Sequence, residues 1–130
     1  MIAEALETFD NAPYETTLED CRKWFDIINE NLFEGKLPPV DEIDIRWRRG
    51  THAYYEYEDD PKRRKHTSIK MNKRYRTKRL FVEILAHEMV HHWQYVMGHA
   101  DSHGESFNSW KEPFQNKGLV LSEVVVIERK

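Results

Sequence analysis

The sequence predicts an α+β domain, because two different hydrophobic periodicities alternate along one chain. Residues 17–34 and 79–98 carry apolar side chains at the three- and four-residue spacing of helices. Residues 43–47, 53–57 and 66–72 alternate apolar and polar side chains, as half-buried strands do. We therefore expect helices packed against a small sheet of three to four mostly antiparallel strands.

Length and composition fit one domain over residues 1–130, with about the first 15 residues as an extended arm. A chain of this length can bury about two-thirds of its unfolded surface and so hold a core. Cys21 is the only cysteine, which excludes an internal disulfide and fits a reducing, cytoplasmic location. The sequence shows neither a signal-peptide pattern nor an apolar run of membrane-spanning length, so we expect no membrane contact.

The first predicted helix spans about residues 17–34. Thr17 can cap its start, and Asp20 follows three residues later in an arrangement related to the capping box. The apolar stripe of this helix consists of Leu18, Cys21, Phe25, Ile28 and Leu32. We expect the stripe to face the core, with Cys21 as a packed thiol, and the helix to end near Gly35.

Three strands are predicted after the break at Pro38 and Pro39. They span residues 43–47, 53–57 and 66–72. A polar turn at 58–62 separates the second strand from the third, and residues 72–78 are expected to form a loop. The valine-rich stretch at 119–127 predicts a last strand, added to an edge of the sheet.

The second predicted helix, at residues 79–98, is expected to be central. Thr77 can cap its start, no proline interrupts it, and Gly98 can adopt the left-handed conformation that ends helices. Apolar side chains occur nearly all round the helix between Leu80 and Val90, which is typical of a buried helix. Histidines in such a helix need hydrogen-bonding partners or a metal ion.

Residues 87–91, His87-Glu88-Met89-Val90-His91, have the pattern H-E-x-x-H. Histidines four apart on a helix differ by about 40° in direction and about 6 Å in height, so both rings can reach one ion. Glu88 lies beside that ion without binding it, where its carboxylate can take a proton from water. Either histidine alone fits an ordinary core residue, but the whole pattern predicts one Zn²⁺ per chain, held by His87 and His91, with Glu88 as the catalytic residue.

A catalytic zinc site requires a third protein ligand and an open position for water. His92 points away from the face shared by the two ligands, so it is expected at the surface or as a support for the site. The compact metzincin pattern is excluded, because Gln94 and Met97 replace its glycine and histidine. The remaining candidates for the third ligand are His99, Asp101, His103, Glu105 and Glu112.

Some of these candidates belong to a predicted helix running from about residue 103 to Glu112. Ser102 and Glu105 have capping-box spacing, so Glu105 can be explained as a residue that caps this helix rather than as a metal ligand. His103 would then lie at the helix start, and Pro113 would limit or bend the helix. An apolar face is expected from Phe107, Trp110 and Phe114.

The segment from His87 to Gln94, followed by His103-Gly104-Glu105-Ser106-Phe107, resembles the SprT-like (Spartan-type) zinc metalloprotease domain. In that family H-E-x-x-H precedes a loop and then H-G-x-x-F. The resemblance includes Asn31-Leu32-Phe33-Glu34-Gly35-Lys36-Leu37-Pro38 and covers residues from about 16 to 115. It implies a small zincin-like fold, with His103 as the third zinc ligand and Glu88 as the general base. Only eleven residues separate His91 from His103, so the connecting loop is tight.

The resemblance further implies hydrolysis of peptide bonds in protein or peptide substrates, including proteins bound to DNA. Residues 46–79 hold 13 lysines and arginines against four acidic residues, although the whole chain has a net charge of −3. This segment could form a basic surface for DNA or an acidic substrate. It could equally be the solvated face of a charge-rich protein.

Two other functions fit the same residues. A non-catalytic zinc-stabilised module could bind nucleic acid or regulate a partner, and a regulatory protease could cut one dedicated repressor. For a protease, the donor that stabilises the tetrahedral oxyanion could be Tyr54, Tyr55 or Tyr75. An extended substrate could pair with an exposed sheet edge.

Overall fold

The computed structural model describes residues 12–58, 65–100 and 102–122. The strands are β1 (Tyr14–Glu15), β2 (Glu42–Arg46), β3 (Ala53–Glu58), β4 (His66–Asn72) and β5 (Arg74–Tyr75). The helices are α1 (Leu18–Leu32), α2 (Lys78–Val96), α3 (Glu105–Asn108) and α4 (Lys111–Asn116). The predicted α+β class is confirmed. None of the helices in the described ranges has the length and apolar character needed to cross a membrane.

Helix α1 begins and ends close to the predicted residues. The Thr17 hydroxyl accepts a hydrogen bond from the Asp20 amide at 3.1 Å, which satisfies one of the free N–H groups of the first turn. The helix ends where Glu34 and Gly35 adopt positive φ angles of 57° and 72°. The side chains of its core-facing stripe, Cys21, Trp24, Phe25, Ile28 and Leu32, are buried.

The three-stranded sheet has the order β2–β4–β3. Strand β4 pairs antiparallel with β3, and it pairs parallel with β2, with Ile43 opposite Ile69. The expectation of a mostly antiparallel sheet is therefore wrong for the β2–β4 pair. The physical reason is the insertion of β4 between its predecessors: the chain reverses after β2 and again after β3, so β4 runs in the direction of β2.

A second, two-stranded sheet was not predicted. In it β1 pairs antiparallel with β5, and Tyr14 lies opposite Tyr75. Residues 74 and 75 thus form a strand where a loop was expected, and the end of the expected N-terminal arm is fixed by backbone pairing. The Thr16 amide also donates a hydrogen bond to the Lys73 carbonyl at 2.8 Å, which extends this connection toward α1.

Helix α2 is the buried centre of the domain, as its sequence predicts. The Thr77 hydroxyl accepts from the Leu80 amide at 3.1 Å, and Gly98 follows the helix end with φ 75°. The helix packs against α1 and against the sheet. Buried on it are apolar side chains and also His87, Glu88, His91, His92 and Gln94.

The single helix expected from about residue 103 to Glu112 is wrong, because the structure has the two short helices α3 and α4. Gly104 is the N-cap of α3 and no side chain caps it, so the predicted Ser102–Glu105 capping box does not form. Instead the Ser102 hydroxyl accepts from the Gly104 amide at 3.2 Å. Pro113 lies within the first turn of α4, where its missing N–H is not needed by the helix.

Residues 118–122 run alongside α2 rather than joining the sheet. The Arg79 side chain donates to the Gly118 carbonyl, and the Glu83 carboxylate accepts from the Val120 amide at 2.8 Å. Gly118 and Val120 are two residues apart in an extended segment, and Arg79 and Glu83 are four residues apart on the helix. Both separations are about 6 to 7 Å, so the two pairs can form side by side. Of the strand predicted at 119–127, residues 119–122 are therefore not in a strand, and the rest lies outside the described residues.

The burial of Cys21 yields a prediction about its reactivity. Burial, and secondarily the nearby Asp20 carboxylate, raises the pKa of the Cys21 thiol to about 12. Since the thiolate is the reactive form, native protein at pH 8 should not react with Ellman's reagent. After unfolding in guanidinium chloride, one thiol per chain should react.

A Cys21→Ala variant, which should give no signal in either state, is the control for this measurement. Rapid, stoichiometric reaction of the native wild-type protein would contradict the assignment of Cys21 as a packed thiol.

Candidate metal centre

Three histidines converge beside the C-terminal half of α2. His87 and His91 are buried on this helix, and His103 lies exposed on the loop before α3. One potential ligand atom from each residue lies within 4.8 Å of those from the other two. The structure therefore brings together the three histidines that the sequence analysis selected.

Local structure explains this convergence. His87 and His91 are four residues apart and so lie on one face of α2, with their ring centroids 5.0 Å apart. After Gly98 the chain turns back, and the His103 ring reaches 5.4 Å from that of His87 and 5.0 Å from that of His91. The Asn108 side chain donates to the His103 carbonyl at 3.3 Å, which helps to fix the turn.

The cluster has dimensions that fit one small divalent ion. Two nitrogens that each lie about 2.1 Å from a tetrahedral zinc ion are about 3.4 Å apart. The Nε2 atoms of His91 and His103 are 3.2 Å apart. Imidazole nitrogens are donors that suit zinc and neighbouring transition metals, so the three histidines are placed to bind a metal ion.

The electrostatics of the cluster favour a neutral His87 ring. Burial in the first place, and then the neighbouring His91 and His103, lowers the pKa of His87 to about 3. A hydrogen bond between the His87 ring and the backbone of Ser122 acts in the opposite direction. Because a neutral imidazole keeps a lone pair on one nitrogen, His87 is in the protonation state that binds a metal ion.

Glu88 lies at the edge of the cluster and is buried. Its Oε2 atom is 3.8 Å from Nε2 of His87. Glu88 is not a member of the group whose ligand atoms converge, which in the described ranges comprises the three histidines. This position, close to the three histidines but separate from them, is compatible with a general acid–base role beside a bound metal ion.

The other ligand candidates lie elsewhere. Glu105 and Glu112 are exposed in the first turns of α3 and α4, and neither joins the cluster. His99 stacks on Trp93, with ring centroids 5.0 Å apart. Asp101 lies outside the described residues.

His92 is not at the surface, and its two ring nitrogens bond to groups outside the cluster. Its ring is buried, with Nδ1 2.8 Å from the Tyr55 hydroxyl and Nε2 2.8 Å from the Pro38 carbonyl. Because a carbonyl only accepts, Nε2 donates and Nδ1 accepts from the tyrosine. Burial is the main cause that lowers the pKa of His92. His92 thus ties α2 to β3 and to the segment before β2.

The tyrosines considered as oxyanion donors differ in their surroundings. The Tyr55 hydroxyl is engaged by His92, and the Tyr75 hydroxyl donates to the His52 carbonyl at 2.7 Å. Burial is the main cause that raises the pKa of Tyr75. Tyr54 is partly exposed, and its hydroxyl accepts from Arg48 at 3.3 Å. Tyr55 and Tyr75 therefore have structural partners for their hydroxyls.

Three residues in contact with the histidines were given no role at the metal site in the sequence analysis. Phe107 is fully buried and lies against all three histidines, with centroid distances of 5.0 Å to His87, 5.3 Å to His91 and 4.8 Å to His103. Gln94 is hydrogen-bonded to His91, and Ser122 contacts His87. In the sequence, the three-residue spacing from His91 pointed to Gln94, and the phenylalanine of H-G-x-x-F pointed to Phe107.

Together the fold and the cluster define a small α+β domain whose central helix and following loop carry a three-histidine metal-binding site. A scan against protein-family models matches the SprT-like family over residues 21–126. This range is most of the chain, and the protein therefore belongs to the SprT-like family. Membership indicates a metalloprotease-like domain. A search of curated proteins found no match.

The three-histidine cluster predicts one bound metal ion per chain. Elemental analysis of protein purified without chelators should find that ion in the wild type. His87→Ala and His103→Ala should each lose it, because a site reduced to two ligands binds weakly. Glu105→Ala is the matched control and should retain the ion, since this carboxylate lies outside the cluster.

A different result would change the ligand assignment. Loss of metal in Glu105→Ala with retention in His103→Ala would show that Glu105, not His103, is the third ligand. Absence of metal from all of the proteins, including the wild type, would contradict the metal site itself.

Proposed function

We propose that this protein is a zinc-dependent metallopeptidase that hydrolyses peptide bonds through an activated water molecule. The observation that supports this proposal most is the placement of the Glu88 carboxylate beside three converging imidazoles, 3.8 Å from His87. A metal site with a structural role alone does not need an adjacent carboxylate that is not a ligand. Membership of the SprT-like family supports the same function.

In this proposal His87, His91 and His103 hold the zinc ion. When bound there, zinc lowers the pKa of a coordinated water to about 7 and polarises a carbonyl group. Glu88 accepts a proton from the attacking water while the water oxygen bonds to the scissile carbonyl carbon. Glu88 then delivers that proton to the amine nitrogen as the C–N bond breaks. The burial of Glu88 limits access of other water molecules to the carboxylate.

An extended peptide is the substrate form that suits the sheet. In the order β2–β4–β3, strand β3 is at an edge among the described strands. The main-chain groups on its outer side can pair with an added strand, which gives binding with little demand on side chains. Exposed Tyr54 and Tyr57 on β3 offer apolar contacts to such a substrate. We therefore propose unfolded protein segments as the substrate class.

The proposed role of Glu88 predicts that Glu88→Gln is inactive but still binds metal. The amide cannot accept the proton from water, so we expect kcat on a denatured protein substrate such as casein to fall by at least about 100-fold. Metal content should match the wild type. Glu105→Gln makes the same chemical change at an exposed position and should keep wild-type activity.

The opposite outcomes select another function. Equal activity of Glu88→Gln and the wild type would exclude Glu88 as the general base. A metal-loaded wild type that cleaves no peptide substrate would favour the non-catalytic, zinc-stabilised module.

We also propose that the substrate proteins include proteins bound to DNA, which the protein contacts through its basic segment. The support is an exposed group at one end of the sheet: Trp47 is 70% exposed, and Arg49 and Lys73 are also exposed. Asn72 fixes the loop that carries Trp47 and Arg49, because its side-chain amide donates to the carbonyls of Arg48 and Thr51, each at 3.0 Å.

Not all of the basic segment supports this proposal. Lys70 and Arg48 are directed at acidic side chains, with Arg48 3.5 Å from Asp44 and Lys70 3.4 Å from Glu42. These ion pairs belong to the sheet surface and leave less free positive charge than the sequence composition indicates. The proposal therefore rests on the exposed residues at the end of the sheet.

For DNA contact, the Arg49→Ser/Lys73→Ser double variant should bind a labelled oligonucleotide more weakly than the wild type. The slope of log K against log salt should fall in magnitude by about 1 per lost phosphate contact. Fluorescence anisotropy at several salt concentrations measures both quantities. Arg22→Ser/Lys23→Ser removes the same charge from exposed positions on α1 and is the control. Absence of salt-dependent binding by the wild type would exclude direct DNA contact.

A further inference from the structure

We infer that Gln94 is a positioning residue of the metal centre, which orients His91 and holds the loop that carries His103. Gln94 lies on α2 three residues after His91, and its side chain is fully buried. Its Oε1 atom is 2.8 Å from Nδ1 of His91. Its Nε2 atom is 3.0 Å from the Ser102 carbonyl and 2.9 Å from the Ser106 hydroxyl. The inference rests on the proposed metal site.

The hydrogen-bond partners fix which way the Gln94 amide faces. The carbonyl of Ser102 can only accept, so the amide nitrogen of Gln94 must face it. The amide oxygen therefore faces His91 and can only accept, which places the hydrogen of His91 on Nδ1. A neutral His91 then has its lone pair on Nε2, the atom that lies 3.2 Å from Nε2 of His103. Gln94 thus selects the tautomer of His91 that can bind metal at the cluster.

The same amide acts on the third histidine through the backbone. His103 lies on a loop and is exposed, so its position depends on the contacts that hold this loop. Ser102 and Ser106 flank His103 in sequence, and both are bonded to the one Gln94 nitrogen. This pair of hydrogen bonds holds the loop against α2. Gln94 therefore couples the orientation of one ligand to the position of another.

Burial and hydrogen bonding of Gln94 also fit a purely structural role, with no influence on the metal ion. The structural role and the positioning role predict different measurements. A structural role affects the stability of the protein with and without metal alike, whereas a positioning role changes metal affinity and the geometry of the bound ion. Partners that orient a metal-bound histidine typically change affinity by about 10–100-fold when they are removed.

The test compares Gln94→Met with the wild type. Methionine keeps the volume and removes both hydrogen-bonding functions. We expect zinc affinity, measured by competition with a chromophoric chelator, to fall about 10–100-fold. With Co²⁺ as a spectroscopic probe, the absorption bands of the tetrahedral site should weaken or shift. The metal-free proteins are compared by thermal unfolding, which reports any loss of stability separately.

Two further variants separate the functions of the amide. Gln94→Glu keeps an oxygen that accepts from His91 and should therefore bind zinc more tightly than Gln94→Met. Ser106→Ala removes one of the two bonds to the loop and should reduce zinc affinity by less than Gln94→Met does. The matched control is Asn29→Leu, which removes another hydrogen-bonded amide, one whose oxygen and nitrogen both bond to the backbone of Leu37. It should lower thermal stability while leaving zinc affinity and the Co²⁺ spectrum unchanged.

The outcomes distinguish this inference from the proposed function. A wild type that binds zinc, with Gln94→Met equal to it in affinity and Co²⁺ spectrum, overturns the positioning role and leaves the metallopeptidase proposal standing. Equal zinc affinity of Gln94→Glu and Gln94→Met overturns the orientation of His91 by the amide oxygen. A wild type that binds no zinc overturns the metal site and this inference together.

Discussion

The structure depends on one constraint, which is that a central helix in an apolar core carries five polar side chains that must all find partners. These are His87, Glu88, His91, His92 and Gln94 on α2. A buried polar group left without a hydrogen bond costs about 1–3 kcal/mol, a large part of the stability of a small domain. The segments that surround α2 meet this demand. Their positions are therefore determined by polar contacts as well as by hydrophobic packing.

Apart from the His91–Gln94 pair, which lies within α2, the partners come from several distant parts of the chain. His92 is satisfied by Tyr55 of β3 and by the Pro38 carbonyl, while residues 102–106 and 118–122 supply partners to Gln94 and His87. Apart from β3, none of these segments is a long regular element in its own right. Their attachment to α2 explains how a short helix, a tight loop and an extended segment can hold a site with ordered geometry.

The apolar surroundings of the site serve its chemistry. Phe107 covers one side of all three histidines, and the burial of His87 keeps its ring neutral. Neutral imidazoles close together avoid charge repulsion and retain the lone pairs that a metal ion requires. The same low-dielectric environment strengthens the influence of a bound ion on a neighbouring carboxylate such as Glu88.

The sequence by itself determined the α+β class, both long helices and the caps at Thr17 and Thr77, because these features follow from periodicity and local hydrogen bonding. It also selected His87 and His91, since their spacing is a property of one helix. Tertiary structure decided the rest. The parallel β2–β4 pair, the position of His103 and the separation of Glu105 from the cluster depend on how distant segments meet. The hydrogen bonds of Gln94 depend on a loop that only the folded chain brings to it.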